Sequence, residues 1–282
     1  MEMSFKKTSS TPLSIFVLLC SLSACKITPL PSTLYNQYSY EKAVSYKNDT
    51  LEIRLKNPLR CPLRVWFFTS DTATQATFDR ILPITLRPTS DTVLTFHTLR
   101  KDNLIRFSSR LGDTSKKIHP IELDLPFPRN KKYSILQENN TNFTHNSDFS
   151  RYALDFNLKI NDTICSATDG FVVGIVDKYK YSGSGLEWRN FGNYITIYEP
   201  ISGIFTQYVH LIHNGSFVKI GEQVKRGQAI ALSGNTGQST HKHLHFNCLI
   251  PVSNEDGLKS IPIEFMGGIK GINLKKGDIL EN

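Results

Sequence analysis

Short runs in which apolar and polar residues alternate dominate the chain after residue 50. Alternation with a period of two is typical of β-strands that bury one face. In the first half such runs fall at residues 51–55, 63–68, 92–96 and 104–107, with Pro, Asn and Asp between them. Their length and spacing predict a small β-sandwich-like domain at residues 46–125.

A second series of strand-like runs follows residues 125–128, whose sequence Leu-Pro-Phe-Pro is typical of a hinge between domains. These runs fall at residues 163–167, 171–176, 193–198 and 204–209. Residues 199–203 read as the turn of a hairpin between the last two. Because no long helical periodicity stands out, we predict a mainly β protein with a second domain at residues 126–282.

The first residues are typical of an export signal. Lys6 and Lys7 precede an apolar run at residues 13–22 that is too short to span a bilayer. The run leads into Leu-Ser-Ala-Cys, which resembles the bacterial lipobox, where the signal is removed before a cysteine that then carries the lipid. We expect a signal peptide at residues 1–24, lipidation of Cys25 and a tether at residues 25–45. The alternative is an ordinary secretory signal in which Cys25 has no role.

The residue after the cysteine and the net charge bear on location and partners. Lys26 stands where some lipoproteins carry an acidic residue that retains them at the inner membrane. We therefore expect a lipoprotein of the cell envelope, anchored in the outer membrane on its periplasmic side. Loss of residues 1–24 removes two Lys and one Glu, so the net charge of +8 becomes about +7. This balance fits an anionic envelope polymer or membrane surface, and nucleic acid is not an expected partner of an exported chain.

The histidines are clustered: six of the eight lie between His145 and His245. His243 and His245 form a His-x-His pair within an apolar run. In a strand, both imidazoles project from one face, while Leu244 and Phe246 pack on the other. Two neighbouring imidazoles suit a metal, or a metal with a proton-transfer group, better than they suit a core.

The other candidate residues carry weaker signals. His97 and His119 are isolated in the sequence and are expected to be structural or on the surface. Cys61, Cys165 and Cys248 show no metal-type Cys-x-x-Cys spacing. We expect them to be small buried residues that form at most one disulfide.

Seven landmarks, in order and at near-family spacing, make the chain resemble the M23 (lysostaphin/LytM-type) zinc metallopeptidases over roughly residues 126–265. They are Tyr152-Ala153-Leu154-Asp155-Phe156, Ala167-x-Asp169-Gly170, Gly192-Asn193-Tyr194, Tyr208-Val209-His210-Leu211, Val224-x-x-Gly227-Gln228, Gly234-Asn235-Thr236-Gly237 and His243-Leu244-His245-Phe246. The resemblance implies that residues 126–282 form a compact antiparallel β domain, with a cleft floored by one sheet and walled by loops.

The resemblance also implies a catalytic zinc with three protein ligands and an open position. Two of the ligands would be Asp155 and His245, and the third a histidine upstream of the aspartate. His210 and His243 would remain close to the metal as catalytic groups. One would take a proton from the attacking water, and both would donate to the oxyanion that develops on the substrate carbonyl.

The third ligand is where the chain departs from the family pattern. Many members have a histidine four residues before the aspartate, but here that residue is Arg151, which cannot bind zinc. We expect His145 to be the ligand, with residues 146–150 forming a turn outside the strand. The alternative is a degenerate site without zinc. His241 is a second departure, and it either lines the cleft or lies in a solvated loop.

The function implied by the resemblance is a zinc-dependent endopeptidase that cleaves peptide bonds in peptidoglycan cross-bridges or stem peptides. The N-terminal β domain would position the enzyme or bind a protein partner. One alternative is a catalytically inactive LytM-type module that binds and activates a cell-wall amidase. Another is a protein that only anchors the envelope to the wall through its basic surface. The presence of Asp155, His210 and both histidines of the pair favours the enzyme.

Overall fold

The computed structural model describes residues 29–97, 104–142, 144–254 and 257–282. The predicted signal peptide and Cys25 lie outside the described residues. The prediction of a mainly β chain is confirmed: the described part contains one α-helix, two short 3-10 helices and 22 strands. None of these helices is long and apolar enough to cross a membrane.

The first half of the chain forms two three-stranded antiparallel sheets, β1-β2-β5 and β4-β3-β6. The elements are β1 (Glu41–Lys47), β2 (Thr50–Asn57), β3 (Leu63–Phe68), α1 (Thr72–Asp79), β4 (Ile84–Leu86), β5 (Ser90–His97) and β6 (Arg106–Leu111). Alternation in β2 buries Leu51, Ile53 and Leu55 on one face, as its sequence pattern predicts. We refer to these elements as the N-terminal unit.

Helix α1 has no counterpart in the sequence prediction. It begins after Asp71, whose side chain accepts a hydrogen bond from the Thr74 amide and so caps the helix. The helix is held by Phe78, whose ring packs edge-on against Phe67 of β3 at 4.6 Å between centroids. A segment with three threonines and little apolar periodicity has weak helix propensity of its own, so tertiary packing decides its structure.

The second half is built around a nine-stranded sheet in the order β15-β10-β12-β13-β18-β8-β7-β22, with β19 paired to β18. A separate three-stranded sheet, β14-β16-β9, and two short strand pairs, β11-β17 and β20-β21, accompany it. The strands are β7 (Lys132–Gln137), β8 (Leu154–Phe156), β9 (Thr163–Cys165), β10 (Gly170–Val176), β11 (Ser182–Gly183), β12 (Tyr194–Tyr198), β13 (Phe205–Val209), β14 (Leu211–Ser216), β15 (Gln223–Val224), β16 (Ala229–Ser233), β17 (Gly237–Gln238), β18 (Leu244–Pro251), β19 (Leu258–Ser260), β20 (Glu264–Phe265), β21 (Ile269–Lys270) and β22 (Ile279–Glu281). The 3-10 helices are Leu186–Phe191 and Gly271–Asn273. We call the nine-stranded sheet the C-terminal sheet.

The segment expected to be a hinge belongs instead to the core of the second half. Leu125 and Phe127 are buried in the same apolar cluster as Phe156 of β8. The amide of Asp124 also donates to the Ala167 carbonyl. The Pro residues end regular structure here, but the apolar residues between them have a surface to pack on, so this stretch is not a free linker.

Two further features join the halves of the molecule. A second apolar cluster combines Leu51 and Phe67 of the N-terminal unit with Phe205 and Leu249 of the C-terminal sheet. The stretch expected to be a tether is also attached, because the Ile175 amide of β10 donates to the Gln37 carbonyl. The sheet that carries the histidines therefore has part of its surface covered by the N-terminal unit.

Candidate metal centre and active-site groove

Asp155 and His245 face each other across two neighbouring antiparallel strands. The register of β8 and β18 pairs Asp155 directly with His245, and Phe156 with Leu244. Alternation sends Phe156 and Leu244 into the apolar cluster beneath the sheet, where both are fully buried. The carboxylate and the imidazole consequently share the opposite face, and His245 Nδ1 lies 2.9 Å from Asp155 Oδ1.

His145 reaches the same point from the loop between β7 and β8. Residues 146–150 lie in turns, in which the Arg151 amide donates to the Ser147 carbonyl. The Ser150 hydroxyl donates to the Thr144 carbonyl at 2.8 Å and closes the loop over the histidine. The His145 side chain is fully buried, and its Nδ1 donates to the Glu138 carbonyl at 2.8 Å. That hydrogen bond directs Nε2 at Asp155 and His245, so Nε2 is the ring atom that could bind a metal.

The three side chains bring their ligand atoms to separations that suit zinc. His145 Nε2 lies 3.2 Å from Asp155 Oδ1 and 3.2 Å from His245 Nδ1. Two ligand atoms bound tetrahedrally at about 2.0–2.1 Å from zinc lie about 3.3 Å apart. Among the residues that the structure describes, this is also the one group of three such side chains whose ligand atoms converge. The donor set, two imidazoles and a carboxylate, is that of a catalytic zinc site.

Burial and mutual interactions shift the pKa values of these groups. Burial alone would raise the pKa of the Asp155 carboxyl, but the charges of His243 and His145 and hydrogen bonds from His145 and His245 hold it well below its usual range. Burial lowers the pKa of His245 despite the opposing effect of Asp155. For His145 the pKa is raised, because the interaction with Asp155 outweighs burial. Asp155 is therefore anionic and offers a carboxylate oxygen where a cation would bind.

His210 and His243 lie beside the three-residue cluster. Each is oriented by a backbone carbonyl: His210 Nδ1 donates to Thr236 O and His243 Nδ1 to His241 O, both at 2.7 Å. The ring centroids of His210 and His243 are 4.5 Å apart, and His243 Nε2 lies 3.5 Å from Asp155 Oδ2. Both rings therefore present Nε2, not Nδ1, to the centre of the site.

The His210 backbone and its ionisation both set it apart from an ordinary core histidine. Its φ angle is +66°, a left-handed conformation that is uncommon for a residue with a side chain and often marks functional positions. Burial, followed by the charges of His243 and His245, lowers the pKa of His210 to about 3. The ring is consequently neutral at ordinary pH, and its unprotonated Nε2 is available as a hydrogen-bond acceptor.

The other residues singled out by the sequence lie away from the metal centre. Arg151 is exposed, and one of its guanidinium nitrogens lies 3.8 Å from Asp148 Oδ1. The side chain of His241 is exposed at the rim of the groove, while its carbonyl orients His243. The three cysteines Cys61, Cys165 and Cys248 are buried and free, so the described residues contain no disulfide.

Several landmark residues support the site without facing it. The buried Asn193 side chain accepts from the Tyr179 amide and donates to the carbonyls of Tyr179 and Leu211. Its own amide donates to the Thr236 hydroxyl, which in turn donates to the Leu211 carbonyl. These bonds fix the chain on both sides of His210 and hold the Thr236 carbonyl that orients its ring.

The metal centre opens into a long groove of about 1600 Å³ on the surface of the C-terminal sheet. Asp155, His210, His243 and His245 lie on its floor. The groove is also lined by residues near the 3-10 helix Leu186–Phe191 and by the loop before β18. Residues 34–40, Lys42 and residues 107–111 line it as well, which local sequence patterns did not indicate.

The comparisons with known proteins agree with this site. Residues 150–256 match the model of Peptidase family M23. This stretch includes Asp155, His210, His243 and His245, while His145 lies just before it.

Curated relatives match part of the chain. Over 110 residues it is 40% identical to the peptidoglycan DD-endopeptidase ShyB of Vibrio cholerae, covering 39% of this chain and 23% of the relative. Over 99 residues it is 40% identical to lysostaphin of Staphylococcus staphylolyticus, covering 33% and 20%. Over 141 residues it is 37% identical to an uncharacterized metalloprotease of Buchnera aphidicola, covering 48% and 34%. The matches therefore span about a third or less of these relatives' length.

A solved structure gives a partial match. The catalytic domain of lysostaphin from Staphylococcus simulans aligns with a TM-score of 0.33 and 26% identity, covering 46% of this chain and 87% of that domain.

Proposed function

Because residues 150–256 match the model of Peptidase family M23, we propose that the protein is a zinc-dependent endopeptidase that cleaves peptide bonds of peptidoglycan. The observation that carries the proposal is the convergence of His145 Nε2, Asp155 Oδ1 and His245 Nδ1 at zinc-like separations in an open groove. The relatives named peptidoglycan DD-endopeptidase and lysostaphin support the substrate class.

His145, Asp155 and His245 would hold the metal. A zinc ion bound there would act as a Lewis acid on the substrate carbonyl and lower the pKa of the attacking water. The hydrogen bond from His145 Nδ1 to the Glu138 carbonyl fixes the tautomer that leaves Nε2 available. Burial keeps competing solvent away from His145 and Asp155, whose side chains are 0% and 5% exposed.

His210 and His243 would be the proton-transfer groups. The His210 ring has its Nδ1 proton engaged with the Thr236 carbonyl, so Nε2 is the ring atom that would accept the proton of the attacking water. His243 has the same arrangement with the His241 carbonyl and lies closer to the Asp155 carboxylate. Once protonated, either ring donates a hydrogen bond to the oxygen of the attacked carbonyl, and one returns its proton to the leaving amine.

Paired metal and activity measurements on single variants test this division of roles. The full chain should hold about one zinc and release soluble peptides from purified peptidoglycan sacculi. Asp155→Ala and His245→Ala should lose both zinc and hydrolysis, whereas His210→Ala should keep zinc and lose hydrolysis. His119→Ala, an exposed histidine outside the groove, is the matched control and should change neither.

Other results would redirect the proposal. Full zinc occupancy with intact sacculi, combined with stimulation of a purified cell-wall amidase, would establish the activator alternative. A chain that binds no zinc after reconstitution and still cosediments with sacculi would leave only a wall-binding role. Loss of zinc in His210→Ala with retention in His245→Ala would reverse the assignment of ligand and proton-transfer residues.

We further propose that the protein is a lipoprotein anchored through Cys25, on the lipobox-like sequence that precedes it. Because the Thr33 carbonyl accepts a hydrogen bond from Tyr179, the chain is attached to the C-terminal half only a few residues later. Residues 26–32 then span at most about 25 Å when fully extended. The peptidase would therefore act close to the membrane surface.

Fractionation of cells tests the anchor. Cys25→Ala should move the protein from the membrane fraction to the soluble periplasmic fraction, whereas a Cys61→Ala control should remain with membranes. A Cys25→Ala protein that stays on membranes after a high-salt wash would show that something other than a lipid holds it there.

A further inference from the structure

The N-terminal unit and the residues just before it line part of the active-site groove. Residues 34–40, Lys42 and residues 107–111 line the same cavity as Asp155 and His210. We call these residues the N-terminal wall. The candidate metal centre and the wall thus face one space, so a substrate strand bound over that centre would also contact the wall.

The N-terminal wall is attached to the floor of the groove. The Gln37 carbonyl accepts from the Ile175 amide of β10 at 2.8 Å, and Gln37 Oε1 accepts from the Thr196 hydroxyl of β12 at 3.2 Å. A glycine at position 174, inside β10, makes room for this approach, since a Cβ there would collide with the Gln37 side chain. The amide of Tyr35 adds a bond of 3.0 Å to the Tyr179 hydroxyl.

A buried arginine joins the other end of the wall to the second half. Arg64 of β3 is 1% exposed, and its guanidinium donates to the Leu111 carbonyl in the wall. It also donates to the carbonyls of Val252 and Gly257, in the connection between β18 and β19. With the shared apolar cluster, these bonds hold the wall at a defined position relative to His245, which lies on β18.

Basic residues outnumber acidic residues along the groove. The basic residues that line it come from both halves of the chain and are Lys42, Arg110, Arg189 and Lys276. Among the described lining residues the sole acid is Asp155, which belongs to the metal centre. A groove of this composition attracts an anionic ligand.

Lys42 is the wall cation with the best-defined surroundings. Its Nζ lies 5.2 Å from the centroid of the Phe107 ring and 5.5 Å from that of Tyr40, so two aromatic side chains flank it. The neighbouring acid on β1, Glu41, is instead bonded to Lys56 at 2.7 Å. Lys42 is thus an ammonium group positioned at the groove by aromatic rings, with donors available for a ligand.

We propose that the N-terminal wall is a substrate-recognition surface in which Lys42 binds a free carboxylate of a peptidoglycan peptide. The proposal rests on the proposed function for the reaction, and it adds the chemical class that the groove selects. An ammonium flanked by aromatic rings binds a carboxylate through charge-assisted hydrogen bonds, while Tyr40 and Phe107 cover the apolar part of the peptide. The N-terminal unit is then a specificity element of the peptidase and not a separate targeting module.

Kinetics on two forms of one substrate test this. Native peptidoglycan sacculi and sacculi whose carboxylates have been converted to amides are digested by the full chain. The wild type should favour the native form, and Lys42→Gln should raise KM on it roughly tenfold with a smaller effect on kcat. Lys42→Arg should recover most of the loss. Lys47→Gln changes the same charge on the same strand away from the groove, so it should behave as wild type.

Three results would overturn the proposal: equal use of native and amidated sacculi by the wild type, an unchanged KM in Lys42→Gln, or an equal loss in Lys47→Gln. Cosedimentation with native sacculi separates this inference from the proposed function. If the wild type does not hydrolyse sacculi, the proposed peptidase activity is refuted. Binding to sacculi that weakens in Lys42→Gln and not in Lys47→Gln would still support substrate recognition by the N-terminal wall. Equal binding of sacculi by the wild type and Lys42→Gln would refute substrate recognition by the N-terminal wall, whether or not the protein hydrolyses sacculi.

Discussion

Replacement of Arg64 by Met should strongly destabilise the protein, because this side chain holds four backbone carbonyls from both halves. Its Nε donates to Gly112 at 3.1 Å, Nη1 to Val252 at 2.8 Å, and Nη2 to Leu111 at 3.0 Å and Gly257 at 2.8 Å. Met fills most of the volume of the arginine stem and makes none of these bonds. The substitution therefore isolates the polar contribution from the packing contribution.

The expected magnitude follows from two opposing contributions. Hydrogen bonds from a charged donor contribute roughly 1.5–3 kcal/mol each, so four of them outweigh the several kcal/mol needed to bury a guanidinium. Water that enters the site can satisfy part of the freed carbonyls. We expect Arg64→Met to lower the free energy of unfolding by about 2–4 kcal/mol, and Arg64→Lys to fall between Met and wild type because an ammonium lacks the planar fork.

Urea unfolding of the full chain measures the effect. With a slope m of about 3 kcal/mol per molar, the expected loss moves the midpoint by about 1 M. Arg54→Met is the matched control: Arg54 lies on β2, its side chain is 54% exposed, and its ion pairs with Glu52 and Asp91 are 3.9 Å and 3.6 Å long. That control should cost no more than about 0.5 kcal/mol. Equal losses in the two variants would refute the interpretation of Arg64 as the connection between the halves.

Two more predictions concern the Gln37 contact and the thiols. Gly174→Ala should displace the Gln37 side chain and lower the free energy of unfolding by about 1 kcal/mol. This cost should vanish in a Gln37→Ala background. If the two substitutions instead shift the urea midpoint additively in a double-mutant cycle, the contact is contradicted. Burial raises the pKa of Cys165 to about 11 and of Cys248 to about 12, and raises that of Cys61 well above its usual range. At about pH 8 iodoacetamide should leave these three thiols unmodified in the native protein and label them after unfolding. Peptide mass spectrometry measures the labelling. Rapid labelling of any of the three in the native protein would show that this thiol is accessible.

Local periodicity was sufficient for much of the sheet structure. The alternating runs at residues 51–55 and 92–96 fall within the strands β2 and β5, since partial burial of alternate residues leaves a period-two pattern. The pairing of Asp155 with His245 also follows from local information. Each lies in a short apolar strand whose alternation directs it away from the core, so antiparallel pairing brings both to one face.

Long-range contacts determine the structural features that local sequence patterns did not predict. Arg64 lies in a strand where a charged residue suggests an exposed position, yet it is buried because the second half supplies carbonyls to meet it. Residues 34–40 look like a linker by composition. Their attachment is explained only by Gly174 and Thr196 on distant strands and by Tyr179 in the connection between β10 and β11. His145 was a candidate by elimination, and its place beside Asp155 depends on a turn whose bonds no periodicity reports.

A zinc-bound crystal structure of the full chain, with the metal identified by its anomalous scattering, tests the central claim most directly. We predict one zinc bound by His145 Nε2, Asp155 and His245 Nδ1 at about 2.0–2.1 Å from each nitrogen, with Arg151 directed away and His210 and His243 unligated. A zinc held without His145, or a metal that binds only outside this cluster, would contradict the assignment of the site and the proposed reaction with it.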